Sequence, residues 1–402
     1  MIKTLRNTLM AAACVTMLTA PAAWADVKVG FLGGFTGPIE ALTPPIFEGA
    51  KLAVKHVNEQ GGVLDGQKIE MPSGDTTCVD ATAAAAAGDR MVNAEKVIAI
   101  VGALCSGETI AVANSAAIPG GVLMISPAST SPAVSLLDDK DLVFRTAPSD
   151  SYQGEAMAKL LRSKGFDNIA ITYVNNDYGK GFADALEGAF TAAGGKVAAK
   201  EAHEEGKADY RAEIGQLASS GADTLVVLAY ASGSGQTIIR QAIEGGDFEK
   251  FVGGDGMIAD ELITAIGGDK LQGMIGTKAG KPVIPGAEVF SKLAKEANID
   301  PTAVYAPQAY DAAFLIALAI EKNGKADREG LNKALREISS GKGEPIMPGE
   351  WEKAKKLIAE GKEIHYEGAG GTLTFDEKGD VPGVIVEMAV KDNRFVEVGQ
   401  IE

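Results

Sequence analysis

The sequence contains few residues of the kinds that bind metal ions or carry out covalent chemistry. Among 402 residues there are three cysteines, three histidines and two tryptophans. The histidines, His56, His203 and His365, are scattered, and none has a partner at the spacing of a metal site. The sequence also lacks a Gly-x-Ser-x-Gly elbow, a P-loop and an HExxH motif. We therefore expect no metal, no cofactor and no enzymatic activity.

Positive charge and long apolar runs are also scarce. The chain has 54 acidic residues against 38 basic ones, and its formal net charge is −16. Such a surface repels nucleic acid and anionic membranes. No run after residue 25 approaches the roughly 20 apolar residues that a membrane-spanning helix needs. We expect a monomer that binds no nucleic acid and has no stable membrane insertion.

The first 25 residues have the pattern of a signal peptide. Lys3 and Arg6 give a positive start, an apolar run covers residues 9–20, and residues 23–25 form a small-x-small cleavage site. We predict cleavage after Ala25 and a periplasmic mature protein. Removal of this segment leaves Cys78 and Cys105, and an even pair in an exported protein suggests a disulfide. A metal site is the competing interpretation, which the scattered histidines disfavour.

Short runs rich in Val, Ile and Leu alternate with amphipathic stretches of helical length along most of the chain. This alternation predicts βαβ units and doubly wound parallel sheets. The chain is also longer than one hydrophobic core usually serves, so two α/β lobes are expected. The predicted strands are Val27–Gly33, Lys68–Asp75, Val97–Ala103, Val122–Ser126, Ile169–Asn175, Lys196–His203, Thr224–Tyr230 and Phe251–Asp255.

Two irregular segments, residues 145–152 and 278–286, interrupt this alternation and predict crossings between the lobes. Near the end, Thr372–Phe375 and Val384–Val390 are predicted to form an antiparallel pair that adds to the second lobe. We therefore expect three crossings. The first lobe would comprise residues 26–148 and 280–371, and the second would comprise residues 149–279 and 372–402.

Turns rich in hydroxyl groups follow two predicted strands of the first lobe. They hold Ser106 and Thr109 in one turn and Ser129 and Thr130 in the other. Ligands of open parallel sheets lie beyond the carboxyl ends of the strands, where hydroxyls and free backbone N–H groups can bind a carboxylate. The alternative interpretation is that these side chains only cap helices.

Acidic and phenolic side chains end three predicted strands of the second lobe. They are Asp177 with Tyr178, then Tyr230, then Asp255. Facing the hydroxyl turns across a cleft, they would complement a zwitterion, with Asp255 accepting from an ammonium group. Each also has a local interpretation, as a helix cap, a strand-end aromatic or an Asp-Gly turn.

Several motifs occur in order along the chain and together resemble the leucine/isoleucine/valine-binding protein family. These proteins are the type I periplasmic receptors of branched-chain amino-acid ABC transporters. The resemblance implies a two-lobed fold with a three-crossing hinge, an amino-acid ligand and transporter permease subunits as partners. The motifs are Val29–Pro38, Gly49–Val54, Val57–Gly66, Ser126–Pro132, Asn176–Gly181 and Phe375–Asp380.

The resemblance also implies roles for individual residues. It pairs Cys78 with Cys105 and assigns carboxylate contacts to Ser106, to the backbone of Ala128, and to Thr130 beside Ser129. On the opposite lobe it assigns contacts with the ligand's ammonium group, and contacts made on closure, to Tyr178, Tyr230 and Asp255. Asp255 stands where the best-known members have Glu. It assigns contacts with the ligand's side chain to Leu42, Leu104 and Tyr305.

The sequence departs from the family in two places. The loop at residues 39–45 lacks the Tyr and Gly of the branched-chain specialists, and residues 341–368 form a longer segment, expected to elaborate the surface of the first lobe. The ligand could therefore be another amino acid, an amide or an aromatic acid, and the receiver could be a chemosensory receptor. A sugar is less expected, because sugar sites stack rings on aromatics and the mature chain has one Trp, Trp351, away from any strand end.

Overall fold

The computed structural model describes residues 26–401, so the predicted signal peptide lies outside the described residues. Within them, strands and helices alternate as the sequence predicts. The strands are β1 Val27–Gly33, β2 Ile69–Glu70, β3 Ser73–Asp75, β4 Ala99–Val101, β5 Leu123–Ser126, β6 Val143–Arg145, β7 Asn168–Val174, β8 Lys196–His203, β9 Thr224–Leu228, β10 Lys250–Gly253, β11 Ile275–Ala279, β12 Glu344–Ile346, β13 Ile364–Tyr366, β14 Ile385–Lys391 and β15 Arg394–Gln400.

The helices lie mainly in the connections between these strands, as a doubly wound arrangement requires. No helix of residues 26–401 is both long enough and apolar enough to cross a membrane. The helices are α1 Thr43–Glu59, α2 Ala81–Asp89, α3 Ser106–Val112, α4 Ile118–Gly120, α5 Asp150–Ser163, α6 Asp177–Ala192, α7 Arg211–Ala218, α8 Ser234–Gly245, α9 Asp260–Ile266, α10 Pro285–Glu296, α11 Ala306–Asn323, α12 Leu331–Ile338 and α13 Trp351–Ala359.

Two main sheets define the two lobes. The first has the order β2-β1-β4-β5-β6, with β3 also pairing with β1, and its pairs are parallel. The second has the order β15-β14-β11-β10-β9-β7-β8, in which β14 and β15 are antiparallel to their neighbours. The predicted α/β class with two doubly wound parallel lobes is therefore confirmed.

The chain passes between the two lobes three times. It leaves the first sheet after β6, returns after β11 to α11, which packs on α1 and β4, and enters the second sheet again at β14. The predicted crossings at residues 145–152 and 278–286 coincide with the first two passages. The small β12-β13 sheet and α13 occupy the unusual segment 341–368, where the Trp351 indole donates to the Gly62 carbonyl at the end of α1.

The predicted terminal strand pair is wrong in one member. Thr372–Phe375 forms no strand, and Val384–Val390 corresponds to β14, which pairs with β11 and β15. The reason is a stronger set of contacts with the first lobe: the Phe375 ring packs on Phe144, and Asp380 pairs with buried Arg145. These contacts favour placing residues 372–383 with the first lobe, while the other lobe boundaries stay predictions.

Candidate functional site

A cavity lies between the two lobes, where the carboxyl ends of their strands face each other. The lobes contact each other beside it, since the Ser131 hydroxyl donates to the Asp177 carbonyl at 2.8 Å. Most of the predicted site residues line this cavity, from segments that are far apart in the sequence. The lining residues are Ile39, Leu42, Ile46, Leu104, Cys105, Ser106, Ala128, Tyr178, Tyr230, Asp255, Gly256 and Tyr305.

Asp255 is the centre of the polar end of the cavity. It lies just beyond β10, is only 4% exposed, and accepts hydrogen bonds from the hydroxyls of Tyr305 at 2.9 Å and Tyr178 at 3.2 Å. The Gln153 side-chain amide donates to the same carboxyl at 3.1 Å. Burial raises the pKa of Asp255, and the phenolic donors oppose that rise. The arrangement holds a carboxyl in a fixed orientation where a cation can approach it.

The rings of Tyr178 and Tyr230 stack at a centroid separation of 5.4 Å. Asn176, which caps α6, donates from its side chain to the Tyr230 hydroxyl at 3.1 Å. Burial raises the pKa of both phenols well above the usual value, so both remain neutral and act as hydrogen-bond donors. The second lobe therefore presents Asp255 beside two neutral phenols.

The first lobe supplies Ser106 and Ala128 to the opposite wall. Ser106 begins α3, and its hydroxyl accepts from the Ser131 amide at 3.2 Å, which leaves the hydroxyl hydrogen available to a ligand. The Ala128 amide makes only a long contact of 3.4 Å with the Ser126 hydroxyl. Both groups are donors, and donors at this position can bind a carboxylate.

Ser129 and Thr130 do not line the cavity. The Ser129 hydroxyl lies 2.6 Å from that of Thr109 and donates to the Leu104 carbonyl at 3.1 Å, so it braces the two turns against each other. The Thr130 hydroxyl donates to Asp150 at 2.9 Å. With its hydrogen committed, the Thr130 oxygen can only accept a further bond, and this polarity suits an ammonium group better than the predicted carboxylate.

Two buried acids near the cavity were not identified from the sequence. Asp150, at the start of α5, is fully buried, and burial together with Asp255 raises its pKa well above the usual value. Its second carboxyl oxygen has no hydrogen-bond partner within residues 26–401. Glu108 on α3 is also buried, and burial, with Asp177 of the other lobe among the causes, raises its pKa to about 7. Acids in the first turn of a helix are common, so their sequence positions gave no signal.

The opposite end of the cavity is aliphatic. The predicted residues Leu42 and Leu104 line it, and they are joined by Ile39 and Ile46 from the loop before α1 and from α1 itself. Ile46 belongs to the buried face of α1, so it contributes to the core and to the cavity wall. Tyr305 was predicted at this end, but its hydroxyl reaches Asp255, so it connects the two ends.

The disulfide that the resemblance implies is present. Cys78 and Cys105 are joined, with their Cα atoms 5.6 Å apart. Cys105 lines the cavity and directly precedes α3, so the bond fixes the turn that carries Ser106. Glu108 lies close to the two sulfur atoms, but a sulfur in a disulfide is not a thiolate ligand, so this group does not form a metal site.

Comparison with known proteins identifies the family and the fold. The periplasmic binding protein family model matches residues 26–383. A leucine-, isoleucine-, valine-, threonine- and alanine-binding protein of Pseudomonas aeruginosa is 31% identical over 357 residues, which cover 88% of this chain and 87% of that protein.

Two solved structures have the same fold. The leucine-binding protein LivK of Thermotoga maritima has a TM-score of 0.78 and 27% identity over 94% of this chain and 99% of that one. LivJ of Streptococcus pneumoniae, solved with isoleucine, has a TM-score of 0.74 and 23% identity over 92% of this chain and 99% of that one. The chain therefore belongs to the leucine/isoleucine/valine-binding protein family of periplasmic binding proteins.

Proposed function

We propose that this protein is the periplasmic substrate-binding component of an ABC transporter and that it binds a branched-chain or similar aliphatic amino acid between its lobes. One observation carries the proposal. A single cavity joins an aliphatic end, formed by Ile39, Leu42 and Leu104, to a buried carboxyl, Asp255, with donor groups on the facing wall. An aliphatic amino acid carries the three complementary groups: an aliphatic side chain, an ammonium group and a carboxylate.

The ligand's ammonium group would be bound at the Asp255 end. A buried carboxylate with no cation beside it is costly, and a ligand ammonium would both neutralise it and donate to it. No Lys or Arg side chain is paired with Asp255 in residues 26–401. Thr130 and Asp150, behind the cavity wall, would then accept from the same ammonium after a small adjustment.

The ligand's carboxylate would be bound by Ser106 and by the Ala128 amide. Both are donors on the first lobe, whereas Asp255 belongs to the second. A zwitterion would therefore bridge the lobes and stabilise the closed form, which the membrane permease subunits would recognise. A chemosensory receptor that reads the same closed form is the second candidate for the receiver.

Aromatic and other acids without an amine fit the cavity less well. Such a ligand would leave Asp255 without a cation, and its negative charge would lie in the same buried space. The aliphatic end also offers no aromatic ring except the phenols, whose hydroxyls are engaged by Asp255 and Asn176. Release of residues 1–25 as a signal peptide, a periplasmic location, a monomeric state and the absence of catalysis complete the proposal.

Calorimetry and thermal shift on the mature protein test this function. Leucine should bind and raise the melting temperature, because a ligand of the folded state adds its binding free energy to stability. Two matched analogues test the two charged groups of leucine separately: 4-methylpentanoate lacks the ammonium group and leucinamide lacks the carboxylate. Both should bind more weakly than leucine, and benzoate should bind weakly or not at all. Tight binding of benzoate or of a sugar, with none of leucine, would contradict the proposal.

A further inference from the structure

A second cavity lies at the hinge, behind Tyr305. Tyr305 lines both this cavity and the amino-acid cavity, so it lies between them. Segments from both lobes enclose the space, including β11 and the segment before α11. Its polar lining consists mainly of Lys278, Lys281, Ser291, Thr302, Gln308 and Glu397.

Lys278 is a buried cation that no acid neutralises at close range. It lies at the end of β11, is 5% exposed, and its ammonium group donates to the Thr302 carbonyl at 2.6 Å. Within residues 26–401 no carboxylate lies within 4.0 Å of its nitrogen, and Glu397 and Asp300 act on it only from farther away. An ammonium group has three N–H donors, so two remain available. Burial lowers the pKa of Lys278, as expected for a cation with little solvation.

Gln308 lines the same cavity, and its side-chain amide makes no hydrogen bond within the described residues. It is only 3% exposed, and its side-chain oxygen has no hydrogen bond within the described residues. Its side-chain nitrogen makes none there either, whereas its backbone carbonyl accepts from the Thr146 hydroxyl. A buried amide oxygen without a partner is unfavourable, so a bound species is expected to contact this amide. Either face of the amide can be turned to the cavity, and the N–H₂ face supplies two more donors.

We propose that the hinge cavity binds a small monovalent anion of the size of chloride between Lys278 and Gln308. The cavity has room for a species of the size of a water molecule, and both side chains line it. The space can therefore accommodate one such ion beside Lys278. Lys281 at the rim is already paired with Glu288 at 2.6 Å, whereas exposed Glu397 opposes an anion.

An anion at this position would act on the amino-acid cavity through Tyr305, which lines both cavities. It would contact Lys278 of the second lobe and Gln308 of the first. Lys278 also holds the segment that leads to Tyr305, through the Thr302 carbonyl, and Tyr305 bonds to Asp255. Occupancy of the hinge cavity should therefore increase amino-acid affinity, by about two- to tenfold, the range for one or two hydrogen bonds.

Two measurements on the mature protein test the site. The first is anomalous diffraction from crystals soaked in sodium bromide, in which a peak is expected beside Lys278. The second is leucine calorimetry in sodium chloride and in sodium gluconate of equal ionic strength, in which affinity should be higher in chloride. Lys278→Met should abolish both the peak and the chloride dependence. Lys281→Met removes a rim cation already paired with Glu288 and should retain both, and Glu397→Gln should strengthen the chloride effect.

The effect on affinity rests on the proposed function, but the bromide peak does not. If leucine fails to bind, a bromide peak and a chloride-dependent melting temperature in the unaltered protein still support the site. If Lys278→Met does not fold, the bromide peak and the chloride dependence are measured on Lys278→Gln and compared with the unaltered protein. Water molecules at Lys278 in place of bromide, with equal melting temperatures in the two salts, would overturn the proposal.

Discussion

The two ends of the amino-acid cavity are built in different ways. At the polar end, Asp255 accepts from three donors that come from different segments, so its position is fixed by directional bonds. At the other end, the lining residues Ile39, Leu42, Ile46 and Leu104 have aliphatic side chains, which offer no directional bonds. Hydrogen-bonded sites discriminate strongly between ligands that do and do not match them, whereas apolar pockets discriminate by about tenfold per methylene. We infer that the polar end selects the class of ligand and that the aliphatic end selects among its members.

Removal of the charge at Asp255 should have the largest effect. Asp255→Asn keeps the shape and one acceptor but cannot neutralise an ammonium group. We expect leucine affinity to fall about 100-fold or more, in the range for loss of a buried charge pair. Calorimetry measures this loss, and Asp247→Asn, an exposed acid beyond α8, is the matched control. Equal affinities for Asp255→Asn and the unaltered protein would remove Asp255 from the site.

Substitutions of Thr130 and Ser106 test which charged group of the ligand each hydroxyl contacts. Ser106→Ala should weaken leucine about tenfold and leucinamide much less, because its hydroxyl would donate to the carboxylate that leucinamide lacks. Thr130→Val should weaken both ligands by a similar factor of about ten, because its oxygen would accept from the ammonium group that they share. A Thr130→Val protein that loses leucine binding but keeps leucinamide binding would instead support the carboxylate role that the resemblance implies.

A substitution at the aliphatic end should change the selectivity among aliphatic amino acids more than it changes the class of ligand that binds. Leu42→Ala removes a half-buried side chain that lines the cavity, and we expect leucine affinity to fall about tenfold while alanine affinity hardly changes. Competition calorimetry with the two amino acids gives this ratio directly. Leu136→Ala is the control, since Leu136 is 80% exposed. If leucine and alanine lose affinity equally, Leu42 supports the fold of the loop and does not contact the ligand's side chain.

The same contrast explains what could be predicted from the sequence. Hydrophobic period and strand-helix alternation depend on local residues, so the eight predicted strands all overlap observed ones. The short edge strand β6 was missed because Thr-Ala-Pro follows it at once and dominates the local pattern. The predicted strand Thr372–Phe375 was wrong because the packing of Phe375 on Phe144 is tertiary and leaves no local signature.

Within the site, the sequence indicated residue types but not hydrogen-bond directions. The motifs led to Ser106, Tyr178, Tyr230 and Asp255, which all line the cavity. They could not show that Asp150 lies behind Thr130 and takes its hydrogen, because residues 130 and 150 meet only in the folded protein. Buried acids of this kind are recognised from their surroundings and not from their spacing.

Substitution of Glu108 should have the smallest effect on ligand affinity. This residue concerns the closing of the cleft and belongs to neither end of the cavity. Burial raises its pKa to about 7, and the charge of Asp177 on the other lobe adds to the rise, so approach of the two lobes favours the protonated form. The part of the affinity that depends on this proton is therefore present at low pH and is lost as the pH rises through about 7. Asp150 and Asp255 act in the opposite direction, because an ammonium ligand prefers their ionised forms.

The contribution of Glu108 is isolated by comparing variants across pH. Glu108→Gln removes the titration but keeps the size of the side chain, so its leucine affinity should exceed that of the unaltered protein by about three- to tenfold near pH 8 and by little near pH 5. Glu40→Gln, at an exposed position before α1, should follow the unaltered protein at both values. If the ratio between Glu108→Gln and the unaltered protein stays constant from pH 5 to pH 8, closure does not require Glu108 to take up a proton.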